Sequence, residues 1–224
     1  MIASTVALDR AWLGSLRISE RGFLMRVDMH PPLPENMNRL LAFLRPKKGQ
    51  RSMSEMSVLR TLFRYQAWAN EELLDAIDRL DPEQHGKERL ACMRLMNHSL
   101  IVARIFAAHL AGREHGYQDD NSPEPPTLPD LLATLTASDQ LYLRYIETIS
   151  APLLSEALPF TFTDGDRGCM TREEMLLHVA THGGYHRGEI GRILAQLSVT
   201  PPWDTLAVHL HRTDPSRRLA AAAE

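Results

Sequence analysis

Between Thr171 and Ser198, the residues Met175, Val179, His182, His186, Ile190, Ile193 and Leu197 follow one another at spacings of 4, 3, 4, 4, 3 and 4. That rhythm keeps all seven side chains on one face of an α-helix, whereas in a strand it would divide them between two faces. A stripe this long must be covered by other amphipathic elements, and it carries two imidazoles toward the core together with the apolar residues. Thr171 followed by Glu174 predicts the start of the helix as a capping box, in which hydroxyl and carboxylate each satisfy a free amide of the first turn. Gly183 and Gly184 break the pattern. Each costs a helix about 0.5–1 kcal/mol relative to alanine, so the pair marks either the close approach of a neighbouring helix or ligand, or a tolerated weak spot.

Three further segments carry the helical signature. From Ser54 to the Asp81-Pro82 turn, Leu59, Leu62, Phe63, Leu73, Leu74 and Ile77 recur at spacings of three and four. A second helix, about 89–112, places Leu95, His98, Val102, Ile105 and His109 on one stripe. It stops at Gly112, before the polar, proline-rich "REHGYQDDNSPEPP", a connection long enough to cross an end of a bundle. A third, about 128–150, turns Leu131, Leu135, Tyr142, Ile146 and Ile149 inward. The following "LPFTFTDGDRGCM" contains Asp164-Gly165 between alternating residues and predicts a small hairpin. With a short closing helix in "PPWDTLAVHLHR", the expectation is an all-α chain: an antiparallel four-helix bundle with negligible strand outside the hairpin.

Residues 1–52 are different. They carry nine Lys/Arg against four Asp/Glu, a net of +5, in a chain whose formal charge is -3. "HPPLPEN" and "RPKKGQRS" lack sustained periodicity and have the proline and charge content of poorly ordered chain. The expected organisation is a basic N-terminal extension over 1–52, a bundle over 53–212 and a tail over 213–224. The extension reads either as the product of an over-long reading frame or as a tail that docks on the bundle through a short helix in "MNRLLAFL".

The overall charge offers no attraction to nucleic acid or anionic lipid. Arginines 10, 17, 21 and 26 interrupt the early apolar residues, so no signal-peptide core is expected, and no apolar run reaches the ~20 residues of a membrane span. Two cysteines, Cys92 and Cys169, are too few for a disulfide framework and suit a reducing cytoplasm, and neither has an evident base beside it.

The chemistry resides in the histidines. His182 and His186, at i and i+4, are within reach of one ion whose bonds to imidazole nitrogen are about 2.0–2.1 Å. His98, mid-helix on the second stripe, is the best third ligand. His178 lies beside its stripe as a flanking residue, His109 lies further along the second stripe and nearer the end of the bundle, and neither is excluded as a ligand. A single inward histidine is usually a hydrogen-bonded core residue. Three that converge leave lone pairs that one divalent ion would engage together.

"YQAWANEELL", "MNHSLIVARIFAAHLAG" and "HVATHGGYHRGEIGRIL" together resemble the DinB-like family of damage-inducible proteins, over about 54–212. The most specific element is His182 and His186 followed at once by Arg187 and Gly188, combined with His98. The resemblance implies an up-down-down-up four-helix bundle, commonly a homodimer, with His98, His182 and His186 as ligands to a divalent metal such as nickel, zinc or iron. The family's Trp-Ala-Asn signature falls on Trp68, Ala69 and Asn70. Core packing is the preferred reading of Trp68, while Asn70 either ties helices together or orients a ligand. The basic N-terminal extension departs from the family pattern.

The function expected from this resemblance is metal-dependent S-transfer, in which a low-molecular-weight thiol is activated toward an electrophile. Arg187 would either steer a carboxylate of the thiol or form an ion pair. The alternatives are a noncatalytic, metal-stabilised stress-response or binding protein, and a metal-dependent hydrolase. The hydrolase would need a general base, for which Glu189 lies beside the stripe without a His-Glu-x-x-His motif.

Overall fold

A computed structural model describes residues 54–219, so the N-terminal extension, including "MNRLLAFL", and the last five residues of the tail lie outside the described region. The elements in order are α1 (Glu55–Asp78), α2 (Gly86–Leu110), α3 (Leu128–Thr148), a 3-10 turn (Ala151–Ser155), β1 (Ala157–Thr161), β2 (Arg167–Thr171), α4 (Arg172–Gln196), α5 (Leu206–Thr213) and a 3-10 turn (Pro215–Arg217). The described residues are all-α apart from one antiparallel hairpin, in which Ala157 pairs with Thr171 and Thr161 with Arg167. The Asp164-Gly165 turn lies where the sequence predicts it, with Gly165 at φ +93°, a conformation that favours glycine.

Caps fix the helix starts. Ser54, Thr127, Thr171 and Thr205 each accept a bond from the backbone three residues on. At Thr171 the box is complete, because Glu174 reaches back to the Thr171 amide at 2.7 Å.

Residue pairing gives the helix directions. Phe63 stacks on Tyr142 and Asn70 bonds Asp139, so α1 and α3 run antiparallel. Gly183 faces Gln66 while Arg187 bonds Asn70, so α1 and α4 run parallel. Arg172, at the start of α4, bonds the carbonyl of Leu110 at the end of α2, which makes that pair antiparallel. The result is up-down-down-up. Because α2 and α3 then point the same way, the segment between them must return along the bundle, which explains the length of the proline-rich connection.

The core is divided in two. One apolar half gathers Leu59, Phe63, Phe106, Tyr142, Ile146, Met175 and Val179. The other gathers Leu74, Ile77, Met96, Leu100, Leu131, Ile190 and Leu194. Between them, at mid-height, lie the buried polar side chains Gln66, Asn70, Asp139 and Arg187. Helix α2 is long and apolar enough to cross a membrane, but half of its apolar stretch is buried within the bundle, as in a core helix.

Candidate metal centre

The three histidines singled out in the sequence meet at the level of this polar layer. His98 on α2 presents Nε2 at 3.2 Å from Nε2 of His182 on α4, and His186 presents its own Nε2 at 3.1 Å from the same atom. Two ligands bonded at 2.0–2.1 Å to one ion lie about 2.9 Å apart at a right angle and about 3.4 Å apart at the tetrahedral angle. Both separations fall between these limits.

The outer edges of two rings fix their tautomers. His98 Nδ1 is 2.9 Å from the Asp120 carbonyl, an acceptor, and His186 Nδ1 is 2.6 Å from Glu189 Oε2, also an acceptor. In the neutral rings both Nδ1 atoms therefore donate, and both Nε2 lone pairs point bare toward His182. His182 Nε2 can offer a single proton at most, so the cluster has more acceptors than donors. A divalent cation resolves this surplus, and the donor set fits one. Among the described residues, these three form the one group of His, Cys, Asp or Glu side chains arranged to hold an ion.

Burial, followed by the neighbouring rings of His186, His98 and His178, lowers His182 to about 4, so it is neutral and available as a ligand at neutral pH. The site is shielded without being closed: the His98 and His186 side chains are 16% and 13% exposed.

The stripe itself needs a correction. The buried face of α4 is Met175, Leu176, Val179, Gly183, Arg187, Ile190 and Leu194, while His182 and His186 are half-buried beside it. On α2, likewise, Met96, Leu100 and Phe106 point inward and His98 is half-buried. The histidines thus face the seam between α2 and α4 rather than the centre of the bundle. Met175, Val179 and Ile190, which set the sequence rhythm, are buried, but at the level of the histidines Gly183 and Arg187 take the inward positions.

The flanking residues separate as follows. His178 stacks beside His182 with ring centroids 5.4 Å apart and packs on Phe106, outside the three-histidine group. His109 packs against His115 and Phe160, toward the hairpin. Arg187 bonds Asp204 Oδ2 at 2.7 Å and Asn70 Oδ1 at 3.2 Å, so it forms an ion pair with the segment before α5 and a hydrogen bond to α1. Asn70 in turn donates to Asp139 at 2.9 Å and ties α1 to both α3 and α4. Trp68 is half-buried and packs on His209, with Arg212 over its ring, so α5 rather than the central core covers it. Gly183 shows the predicted close approach: a Cβ there would meet Gln66 Oε1 at 3.2 Å.

Cys92 is buried, and burial, followed by the charge of Glu88, raises it to about 11. Cys169 is exposed on strand β2. A cleft of about 400 Å³ beside Gly184, Gly188, Pro201 and Trp203 is lined by none of the three histidines.

Sequence reasoning missed Asp120 and Asp139, and weighed Glu189 only as a hydrolase base rather than as the partner of His186. Asp139 lies four residues after Leu135 and three before Tyr142, on the inward stripe of α3, so its spacing carried a signal. Asp120 acts through its backbone carbonyl, for which no side-chain signal exists.

The sequence model of the DinB family matches residues 53–218. "Protein DinB" of Bacillus subtilis (strain 168) is 25% identical over 150 residues, which cover 60% of this chain and 83% of that protein. No solved structure matches the chain significantly.

Proposed function

The chain belongs to the DinB family, and from that premise we propose that it holds one divalent metal ion (nickel, zinc or iron) on His98, His182 and His186 and uses it in transferring a low-molecular-weight thiol to an electrophile. The observation that carries this reading is the convergence of three Nε2 atoms, two of them bare, with 3.1 and 3.2 Å separations around His182. Held by these three side chains, a divalent ion would supply Lewis acidity able to lower the pKa of a thiol.

The protein's own groups do the rest. The Asp120 carbonyl and the Glu189 carboxylate orient two of the rings. His178 and Phe106 wall the seam beside His182. Glu189 is engaged on the outer Nδ1 edge of His186, which argues against its service as the general base of a hydrolase. The proposed setting is cytoplasmic, as two unpaired cysteines suit a reducing compartment. A homodimer accompanies the reading, and nucleic acid does not, in view of the chain's negative charge. The N-terminal 52 residues are proposed to form a separate extension of the bundle.

The test is a screen of metal-reconstituted protein with small thiols and thiol-reactive electrophiles, followed by loss of thiol over time. The reading predicts turnover that requires metal and disappears in His182→Ala. Absence of metal-dependent turnover across the screen would favour a second reading, a noncatalytic protein in which metal staples α2 to α4. The observation favouring that alternative is the origin of the three ligands on two different helices. Under it, removal of metal lowers stability and affects no reaction.

A further inference from the structure

We propose that Glu189 is the positioning residue of the three-histidine site: its carboxylate holds His186 in the Nδ1–H tautomer, so that the Nε2 lone pair faces His98 and His182 before any ion arrives. This inference rests on the reading of the three histidines as a divalent-cation site.

Glu189 lies one turn beyond His186 on α4, with Oε2 2.6 Å from Nδ1. A carboxylate only accepts, so the neutral ring must place its proton on Nδ1. The three rings are held differently. His98 Nδ1 donates to the backbone carbonyl of Asp120 at 2.9 Å, in the segment joining α2 and α3, and the half-exposed Asp120 carboxylate stands off at 3.8 Å. His186 is held by a side chain that bears a full negative charge and is itself anchored on the same helix as two of the ligands. The carboxylate therefore does two things that the Asp120 carbonyl does not do. It adds attraction for a dication across the ring, and it orients the ring by a contact that persists however the long connection moves. His182 receives no such partner on its outer edge among the described residues, so the orientation of His186 also decides where the Nε2 atom of His182 finds its neighbour.

The role separates from general support of the fold. The Glu189 side chain is 37% exposed, and its bond to His186 is local to one turn of α4, so its removal leaves the bundle core untouched. Glu189→Ala removes both acceptor and charge. Glu189→Gln keeps an acceptor and removes the charge.

The experiment uses the full-length protein and two readouts. In metal-free protein at pH 8, long-range 1H–15N spectra of the histidine rings should show His186 as the Nδ1–H tautomer in wild type, and a shift toward Nε2–H in Glu189→Ala. Zinc affinity, measured by competition with a chromophoric chelator, should fall about 10- to 100-fold in Glu189→Ala and less in Glu189→Gln, with thermal midpoints of the metal-free proteins alike. An Nε2–H or doubly protonated His186 in wild type, or equal zinc affinity in wild type and Glu189→Ala, would overturn the assignment. Wild type that binds no zinc would contradict the metal reading itself, while the tautomer measurement would still test Glu189.

Discussion

Arg187 Nη1 donates to Asn70 Oδ1 at 3.2 Å across the bundle, and Arg187 is the residue that directly follows His186. The same guanidinium bonds Asp204 through Nε at 2.7 Å, and its side chain is 2% exposed. A single buried cation thus fixes the rotation of α4 at the turn that carries the proposed ligands. Removing one partner of a fully buried pair costs about 3–5 kcal/mol, and the 26% exposure of Asp204 places this pair at the lower end. Arg187→Met should destabilise the metal-free protein by that order in urea unfolding, and Arg187→Lys should recover only part of it, since an ammonium cannot match the forked geometry. A loss below about 1 kcal/mol in Arg187→Met would contradict this role.

The two glycines Gly183 and Gly188 should respond in opposite directions to the same change. A Cβ at Gly188 meets nothing within 4 Å, so Gly188→Ala should gain about 0.5–1 kcal/mol from helix propensity alone. A Cβ at Gly183 would sit 3.2 Å from Gln66 Oε1 and 3.3 Å from Arg187 Nη1, two side chains held in place by the polar layer. Gly183→Ala should therefore lower the urea midpoint. Stabilisation by both substitutions would show that the polar layer yields freely.

In the metal-free protein, Asp139 and His182 should oppose each other between about pH 4 and 6. Burial raises Asp139 to about 6, against the lowering effects of Asn70, Gln66 and Arg187. Its contribution is present below the unfolded value, near 3.9, and is lost as pH rises through 6, a swing on the order of 2–3 kcal/mol. His182 is lowered to about 4. Its contribution is present above the unfolded value, near 6.5, and is lost as pH falls through 4. Asp139→Asn should then show stability that climbs with pH across this window, and His182→Gln stability that declines, relative to wild type. Urea midpoints at several pH values decide the matter; parallel profiles in all three proteins would contradict it.

Breaking the cap of α4 should cost an ordinary amount. Thr171→Ala removes the hydroxyl that accepts from the Glu174 amide at 3.1 Å, and should destabilise the protein by about 1 kcal/mol in chemical denaturation. An unchanged midpoint would mean that the hairpin alone holds the start of α4.

Much of the fold was legible because its signals are local. The rhythm of Leu59, Phe63, Leu73 and Ile77, the Thr171–Glu174 box and the Asp164-Gly165 turn each specify a structure within a few residues. The triad was legible in part for the same reason, since His182 and His186 share one face by helix geometry alone. What spacing does not reveal is the rotation of the helix in its bundle. Met175, Ile190 and the histidines form one stripe on a helical projection, yet Gly183 and Arg187 turn inward in place of the histidines. The gap at Gly183 admits Gln66, and Arg187 finds Asn70 and Asp204, partners 117 and 17 residues away. Such a preference depends on long-range pairs and leaves no periodic trace. The Asp120 carbonyl escaped notice because every residue has one.

The most direct test is metal content by elemental mass spectrometry on untagged, reconstituted protein, with His98→Ala, His182→Ala and His178→Gln alongside wild type. A site built from His98, His182 and His186 predicts close to one ion per chain in wild type and in His178→Gln, and loss of the ion in both alanine variants. Wild type without bound metal after reconstitution, or an ion retained in both alanine variants, would contradict it and leave the three histidines as packing residues of the α2–α4 seam.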